Sequence, residues 1–213
     1  MKTNLNLKKI KTYKANQDKL RKQAVNSGVN LVAPETIFLS KDTKFGKNVT
    51  INPYVVIGKK VKIGSNVEIL SFSHIEGAKI GNKVKVGPYA RIRPGTNLLP
   101  GVKIGNFVEI KNSNIESECQ INHHSFVGDS DIYERVIVGA GTIICNHNGA
   151  ETNRTTIKQG SFIGSGSSLV APITVNANST IAAGSTITED VPEDVLAIAR
   201  SRQLTKNSWK RKK

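Results

Sequence analysis

An aliphatic residue at every sixth position is the feature that most constrains how this chain can fold. The spacing holds from residue 51 to residue 187, with three slips of one residue and a longer break after residue 144. A period of six matches neither the 3.6-residue repeat of an α-helix nor the two-residue alternation of a β-strand. It is typical of a triangular coil in which each hexapeptide forms one short side and the aliphatic residue points inward. The aliphatic positions are Ile51, Ile57, Ile63, Ile69, Ile75, Ile80, Val86, Ile92, Leu98, Ile104, Ile110, Ile115, Ile121, Val127, Ile132, Val138, Ile144, Ile157, Ile163, Leu169, Val175, Ile181 and Ile187.

Three such sides make about 18 residues per coil, and parallel strands of successive coils lie about 4.8 Å apart. The aliphatic positions therefore predict an all-β solenoid, a parallel β-helix of between seven and eight coils. Glycine often follows the aliphatic residue, as at Gly58, Gly64 and Gly139, and we expect it to permit tight corners with positive φ. Because a solenoid cannot protect its own ends and faces, we also expect an oligomer.

The segments on either side of the repeat differ from it. Asn16–Ser27 carries an apolar stripe that includes Leu20 and Ala24, and predicts a short helix that ends at Gly28. After the repeat, Pro192 and a run of basic residues predict an irregular arm that ends near Trp209. We therefore expect a basic segment and linker helix at 1–30, a β-helix domain at 31–190 and a basic arm at 191–213.

The charge is concentrated at the two ends. The net charge is +15, of which residues 1–23 and residues 200–213 each contribute +7, so the 176 residues between them are nearly neutral. This pattern is consistent with tails that are simply solvated, and equally with tails that attract anionic ligands such as phosphates. Nucleic acid is not expected as a partner, because aromatic residues are not interleaved with the basic ones.

The remaining composition excludes several classes of protein. Cys119 and Cys145 lack metal-ligand spacing, so we expect reduced thiols and no metal site. Neither a signal peptide nor an apolar run of about 18 residues is present, so we expect a cytoplasmic protein without a membrane partner. A zinc hydratase would need several His on adjacent coils, and His74 is distant from the other three. GAG at 139–141 lies inside the repeat and gives no nucleotide-binding fingerprint.

Outward-facing polar residues can meet when their spacing matches one coil. Arg93 and Lys111 each follow an inward aliphatic residue and lie 18 residues apart, so we expect them to stack as a two-cation site for a phosphate. Glu109 and Phe126 should stack beside them once the slip is counted. His123 lies at a nearby corner, where a neutral imidazole suits the role of general base and a carboxylate could orient it. Ordinary surface residues are the alternative interpretation.

A further column and a loop complete the candidate features. Ser165 and Ala183 lie 18 residues apart, with Arg200 following, and small outward residues would leave a slot for a pantetheine arm and a cation for a phosphate. The alternative is that small residues only favour tight turns. The break CNHNGAETNRTT predicts a projecting loop with Asn146 and His147 at its base.

Several runs together resemble a known family over about residues 19–209. They are VGPYARIRPGTNLLPGVKIGNFVEIKNS, INHHSFVGDSDI, VIVGAGTIICNHNGA, FIGSGSSLVAPITV, IAAGSTIT and LAIARS. The resemblance is to the C-terminal half of the bacterial bifunctional enzymes that combine glucosamine-1-phosphate N-acetyltransferase with N-acetylglucosamine-1-phosphate uridyltransferase, which are hexapeptide-repeat acyltransferases. It implies a left-handed β-helix, a homotrimer with active sites between subunits, and acetyl transfer from acetyl-CoA to glucosamine 1-phosphate. The product would serve UDP-N-acetylglucosamine synthesis for cell-wall and lipopolysaccharide precursors.

The resemblance also implies a role for individual residues. His123 matches the catalytic base and Glu109 its acidic neighbour, while Arg93 and Lys111 match the grip on the sugar phosphate. The same matching implies contacts to substrate at Phe126, Ile137 and Asn146. It also implies contacts to acetyl-CoA at Ala140, Asn146, His147, Ser165, Ala183 and Arg200. No metal is implied for the transfer.

Four positions depart from the family pattern on the sugar side and in the loop. Phe126 replaces a Tyr, Ile137 replaces an Asn, His147 replaces a Tyr, and Thr152 replaces a Lys although Arg154 lies two residues on. Lost hydrogen bonds to a charged ligand cost about tenfold to a hundredfold each. The sequence therefore leaves open a different amino sugar or sugar nucleotide as acceptor, or a non-catalytic trimeric scaffold. It contains no nucleotide-binding loop, so a separate uridyltransferase would supply that step.

Overall fold

The aliphatic residues at six-residue intervals form the interior of a left-handed parallel β-helix. A computed structural model describes residues 2–207 and residue 209, with only the backbone for residues 2–5. All the aliphatic side chains predicted to point inward are buried, none more than 5% exposed. Each buried Ile contributes about 1.5–3 kcal/mol, so this narrow column of aliphatic side chains is the core that positions every outward residue.

Within the described residues, one α-helix, one short 3₁₀ helix and a series of short strands follow one another. The helix α1 spans Lys2–Asn26 and the 3₁₀ helix spans Pro34–Thr36. The strands are β1 (Asn30–Leu31), β2 (Lys44–Phe45), β3 (Thr50–Ile51), β4 (Val56–Ile57), β5 (Lys62–Ile63), β6 (Glu68–Ile69), β7 (His74–Ile75), β8 (Lys79–Ile80), β9 (Lys85–Val86), β10 (Arg91–Ile92), β11 (Asn97–Leu98), β12 (Lys103–Asn106), β13 (Glu109–Lys111), β14 (Asn114–Ile115), β15 (Gln120–His123), β16 (Phe126–Gly128), β17 (Ser130–Ile132), β18 (Ile137–Val138), β19 (Ile143–Cys145), β20 (Thr155–Ile157), β21 (Phe162–Ile163), β22 (Ser168–Val170), β23 (Ile173–Val175), β24 (Thr180–Ile181), β25 (Thr186–Ile187) and β26 (Leu196–Ala197).

Three parallel sheets form the sides of the coil. In the part of the chain that the structure describes, the first sheet has ten strands (β1, β3, β6, β9, β12, β15, β18, β21, β24, β26) and the other two have eight each. The second sheet runs from β4 to β25 and the third from β2 to β23. The chain passes from the first sheet to the second and then the third before it starts the next coil. Registers such as Ile92 opposite Ile110 and Ile163 opposite Ile181 confirm the predicted stacking.

The solenoid has about nine coils, more than the seven to eight predicted. An additional coil precedes residue 51, where Leu31 and Leu39 are buried and Phe45 is partly buried. The spacing there is irregular because the 3₁₀ turn at Pro34–Thr36 interrupts the first coil. At the other end Ala197 pairs with Ile181, so the β-helix runs into the arm predicted for 191–213; residues 208 and 210–213 of that arm lie outside the described residues.

Gly87, which follows Val86, has the predicted positive φ of 99°, but most of the glycines after the aliphatic residues have a different role. Gly64 and Gly139 do not have positive φ; positive φ occurs instead nearer the middle of each corner, for example at Asn66 and Asn112. A Cβ on Gly139 would lie 2.6 Å from the main-chain nitrogen of Ser165 in the next coil. Glycine is therefore required there because successive coils approach closely, and Asn is suited to the left-handed positions.

The helix α1 is longer than the predicted Asn16–Ser27 and covers one end of the β-helix. Gln17 lies against Leu39, where its side-chain amide donates to the Leu39 carbonyl and accepts from the Leu39 N–H, both at 3.0 Å. The predicted stop at Gly28 is confirmed: φ there is 91°, and Val29 N–H donates to the Ala24 carbonyl as in a Schellman ending. No helix among the described residues is long and apolar enough to cross a membrane.

Candidate active site

A column of outward residues runs along the corner where the strands of the first sheet end. Asn106 and His123 are opposite each other in the register of β12 and β15. The column continues through Ala140, Ser165 and Ala183, because Gly141 N–H donates to the His123 carbonyl, Gly166 N–H to that of Ala140 and Gly184 N–H to that of Ser165. We call Asn106, His123, Ala140, Ser165 and Ala183 the corner column. The predicted stacking of Ser165 on Ala183 is confirmed, and His123 proves to lie in the same column.

His123 is exposed and is oriented by a neighbour in the coil below it. Its Nδ1 lies 2.7 Å from Oδ1 of Asn106, which accepts a hydrogen bond when Nδ1 carries the proton. A neutral imidazole held in this way presents the lone pair of Nε2 to solvent, as a general base requires. Asn106 was not among the predicted site residues, although its spacing of 17 residues from His123 is one coil with a slip.

A pair of cations lies at the C-terminal ends of two strands of the second sheet, β10 and β13. Arg93 stacks on Lys111 as predicted, with Arg93 N–H donating to the Ile110 carbonyl at 2.8 Å. Each cation has a carboxylate partner: Arg93 Nη1 is 2.7 Å from Glu109 Oε1, and Lys111 Nζ is 3.6 Å from Asp129 Oδ2. Both cations are partly exposed, so an anion could reach them from solvent.

Glu109 binds Arg93 rather than His123 within one chain. It also stands opposite Phe126 in the ladder of β13 and β16, as its predicted stacking requires. The hydrogen bond that holds His123 comes from Asn106, so an action of Glu109 on His123 stays a prediction.

Two apolar pairs flank the corner column. Phe126 lies opposite Ile143 on the second sheet, and Ile137 lies opposite Phe162 on the first. Ile137, Ile143 and Phe162 are each about two-fifths exposed. Exposed apolar side chains grouped in this way are typical of a ligand-binding surface or an interface between proteins.

The predicted projecting loop leaves the second sheet after β19 and joins the third sheet at β20. Asn146 at its base is buried, while His147 pairs with Thr152 in an antiparallel bridge and is exposed. The Asn148 side-chain oxygen accepts hydrogen bonds from the N–H groups of Ala150 and Glu151. The loop is therefore an ordered hairpin above the cation pair.

Arg154 does not replace the family's loop lysine. Its guanidinium binds Asp131 with two hydrogen bonds, Nε to Oδ2 at 2.8 Å and Nη2 to Oδ1 at 2.6 Å. These hydrogen bonds hold the pKa of Asp131 below its ordinary value, although burial opposes the shift. Arg154 thus fastens the end of the loop to the third sheet.

Arg200 reaches the end of the corner column. Its Cδ is 3.8 Å from the position that a Cβ on Gly184 would take, and Thr186 N–H donates to the neighbouring Ala199 carbonyl at 3.1 Å. The side chain is exposed, beyond Ala183. Among the described residues there is no group of three His, Cys, Asp or Glu that could hold a metal.

Comparison with known proteins gives consistent matches. The family described as bacterial transferase hexapeptide (six repeats) matches residues 42–77 and 77–112, and the hexapeptide repeat of succinyl-transferase matches residues 154–189. The bifunctional protein GlmU of Zymomonas mobilis is 49% identical over 196 residues, which are 92% of this chain and 44% of that protein. That of a Bradyrhizobium species is 50% identical over 90% of this chain and 43% of its own length. The chain thus spans less than half the length of these curated relatives.

Solved structures show the same fold at lower sequence identity. An Arabidopsis UDP-N-acetylglucosamine acyltransferase superposes with a TM-score of 0.56 at 16% identity, over 77% of this chain and 70% of that one. Another UDP-N-acetylglucosamine acyltransferase gives a TM-score of 0.55 at 16% identity, over 80% of this chain and 71% of that chain. These two likenesses support the β-helix fold.

Proposed function

Since this chain belongs to the hexapeptide-repeat family of bacterial transferases, we propose that it transfers acetyl from acetyl-CoA to the amine of an amino-sugar phosphate. The acceptor that we assign first is glucosamine 1-phosphate, and the product would enter UDP-N-acetylglucosamine synthesis. The observation that carries the proposal is the corner column, in which His123 stacks in line with the small residues Ala140, Ser165 and Ala183. The GlmU relatives match over most of the chain and support the same assignment.

The two substrates approach His123 from different sides. The pantetheine arm of acetyl-CoA lies along Ala140, Ser165 and Ala183, and Arg200 binds a phosphate of the coenzyme. The sugar phosphate is held by Arg93 and Lys111, whose stacked charges fit a dianion. In this arrangement the amine and the thioester meet beside the imidazole.

The transfer itself needs one base and one oxyanion site. The amine nitrogen forms a bond to the thioester carbonyl carbon, and Nε2 of His123 accepts the proton that the nitrogen loses. The C–S bond then breaks, and the sulfur of coenzyme A takes up the proton from His123. Backbone N–H groups near the loop stabilise the oxyanion that forms between these steps.

We propose a homotrimer with its active sites between subunits. The corner column lies where the first sheet turns into the second, whereas the cation pair lies at the next corner, where the second sheet turns into the third. The exposed apolar residues of the first and second sheets also need cover. Packing the first sheet of one copy against the second sheet of another would bury Ile137 and Ile143 and enclose the substrates between two walls.

A different amine acceptor is the second candidate, favoured by the apolar character of the sugar side. Phe126 and Ile137 both lack the polar group that would meet a sugar hydroxyl or phosphate. An acceptor that places an apolar or aromatic part there, such as the base of a sugar nucleotide, would gain contact with them.

Restoring polar side chains at these two positions is expected to identify the acceptor. The double variant Phe126→Tyr, Ile137→Asn should raise kcat/KM for glucosamine 1-phosphate by about tenfold or more if that sugar is the acceptor, because each new hydrogen bond to a charged ligand is worth about tenfold. The measurement is release of coenzyme A thiol with a panel of amino sugars and sugar nucleotides. Phe162→Tyr, an exposed aromatic of the first sheet, is the matched control.

Other outcomes of the panel separate the alternatives. A variant that loses activity toward one sugar nucleotide and gains none toward glucosamine 1-phosphate would favour the second candidate. Absence of thiol release with every acceptor, together with no binding of acetyl-CoA by calorimetry, would contradict the enzyme and favour a non-catalytic scaffold.

A further inference from the structure

The only buried carboxylate in the described part of the chain, Asp129, has so far been named only as the partner of Lys111. Asp129 follows Gly128 at the corner between β16 and β17 and is only 5% exposed. Its oxygens accept hydrogen bonds from two side-chain amides, Asn112 Nδ2 to Oδ1 at 2.6 Å and Asn146 Nδ2 to Oδ2 at 2.5 Å. Lys111 Nζ is 3.6 Å from Oδ2. One buried side chain thus contacts three polar groups, two in the coil before it (Lys111 and Asn112) and one in the coil after it (Asn146).

Asp129 also contacts both ends of the projecting loop. The loop begins at Asn146, whose amide Asp129 binds, and it ends at Thr155, whose N–H donates to the Asp129 carbonyl at 3.2 Å. Asn153 N–H closes the base of the loop on the Asn146 carbonyl at 2.7 Å. Asp129 therefore joins the two ends of the loop, in addition to the hydrogen bonds of Arg154 to Asp131.

The charge of Asp129 is essential to this arrangement. Burial by itself raises the pKa of the carboxyl, but the amides of Asn112 and Asn146 and the ammonium of Lys111 outweigh it, so the pKa lies below its ordinary value. All three partners are donors. An amide in place of the carboxylate would turn its own N–H₂ toward one of these donors, so Asn at this position cannot reproduce the network.

We propose that Asp129 is a positioning residue, which holds Lys111 for the acceptor phosphate and Asn146 for the bound substrates through the same carboxylate. The inference rests on the proposed function, because Lys111 and Asn146 were assigned there or implied by the family resemblance as contacts to substrate. Asp129 itself touches neither the acceptor nor the coenzyme; it sets the distance between the cation and the loop that meet them.

The test is a double-mutant cycle on thiol release, with Asp129→Asn introduced into the wild type and into the variant Lys111→Ala, Asn146→Ala. In the wild type, Asp129→Asn should lower kcat/KM for the acceptor by about tenfold to a hundredfold, the usual effect of losing a hydrogen bond to a charged group. If Asp129 acts through Lys111 and Asn146, adding Asp129→Asn to the variant that lacks both should cost at most about threefold more. If the fold-losses in kcat/KM instead multiply when the substitutions are combined, the proposal is overturned. An Asp129→Asn variant as active as the wild type would also overturn it.

Asp131→Asn is the matched control, since it removes a carboxylate two residues away that binds Arg154 but not Lys111 or Asn146. We expect its kcat/KM to stay within about threefold of the wild type. An equal loss in both Asp→Asn variants would mean that loop anchoring in general, rather than the placement of Lys111 and Asn146, limits the rate.

Hydrogen exchange separates this proposal from the proposed function. If the wild type releases no thiol with any acceptor, the proposed function fails. The role of Asp129 is then tested by the exchange rate of the Asn153 amide at the loop base. In the wild type and in Asp129→Asn, strand amides of the remote β5 and β8 should exchange alike, while that of Asn153 should exchange at least about tenfold faster in the variant. Equal rates at Asn153 would overturn the role assigned to Asp129 without reference to activity.

Discussion

Replacing His123 with Ala is expected to lower the rate of coenzyme A release by about a hundredfold to ten-thousandfold, the usual contribution of a general base. In the corner column only His123 has an imidazole, the side chain that most often acts as a general base. Its Nδ1 is held 2.7 Å from Oδ1 of Asn106, so Nε2 is the atom left to accept the proton of the amine. The rate is measured as thiol release with saturating acetyl-CoA and acceptor.

His124 supplies the matched control for this prediction. It is the adjacent residue and the same type, but it has φ of 51° and packs edge-on against the ring of Phe107. His124→Asn keeps a residue that tolerates this conformation, and we expect thiol release close to that of the wild type. A variant without His123 that keeps the wild-type rate, or an equal loss in His124→Asn, would remove His123 from the mechanism.

Ile121→Ala is expected to lower the free energy of unfolding by about 2–5 kcal/mol, the usual loss when a large aliphatic side chain is removed from a closed core. Ile121 is fully buried and lies between Ile104 and Val138 in the first sheet. The neighbouring coils cannot collapse into the space, because their distance is set by main-chain hydrogen bonds. Urea denaturation at one fixed protein concentration gives the value.

Val32→Ala is the control for the core prediction, since Val32 is 54% exposed in the first coil and is not among the residues proposed to pack between subunits. We expect it to lower the free energy of unfolding by about 0.5 kcal/mol or less, the usual effect of a surface substitution. Equal losses in the two variants would mean that the interior is not the aliphatic column described above.

The repeat was predictable because the hexapeptide period encodes both burial and register. A spacing of 18 residues, or 17 with a slip, correctly placed Arg93 on Lys111, Glu109 opposite Phe126, and Ser165 on Ala183. Each of these pairs follows from the number of residues between its members, because the buried aliphatic side chains fix the number of residues per coil.

Contacts that cross corners were not predictable in the same way. Asp129 itself has φ of 51°, and its side chain reaches Asn112 in the coil before it and Asn146 in the coil after it. Asn106 is a different case, because it pairs with His123 in the ladder of β12 and β15 and the same count would have found it. The role of Gly64 and Gly139 was misjudged because the closeness of successive coils is a property of the stack and not of one repeat.

The N-terminal helix was underestimated for a related reason. Its basic residues indicated a mobile tail, yet Leu7, Ile10 and Tyr13 continue the stripe that packs through Gln17 and Leu20. The first three of these side chains are about half exposed, and Tyr13 stacks on Phe38 of the first coil with ring centroids 6.4 Å apart, a contact between distant parts of the chain that the local sequence does not reveal.

The most direct measurement is diffraction from crystals of this protein grown with coenzyme A. The account predicts pantetheine along Ala140, Ser165 and Ala183, Arg200 at a phosphate, and the thiol beside His123 in a crevice shared by two copies. Coenzyme bound elsewhere, or a solitary protomer with Arg93 and Lys111 facing away from any shared crevice, would contradict it.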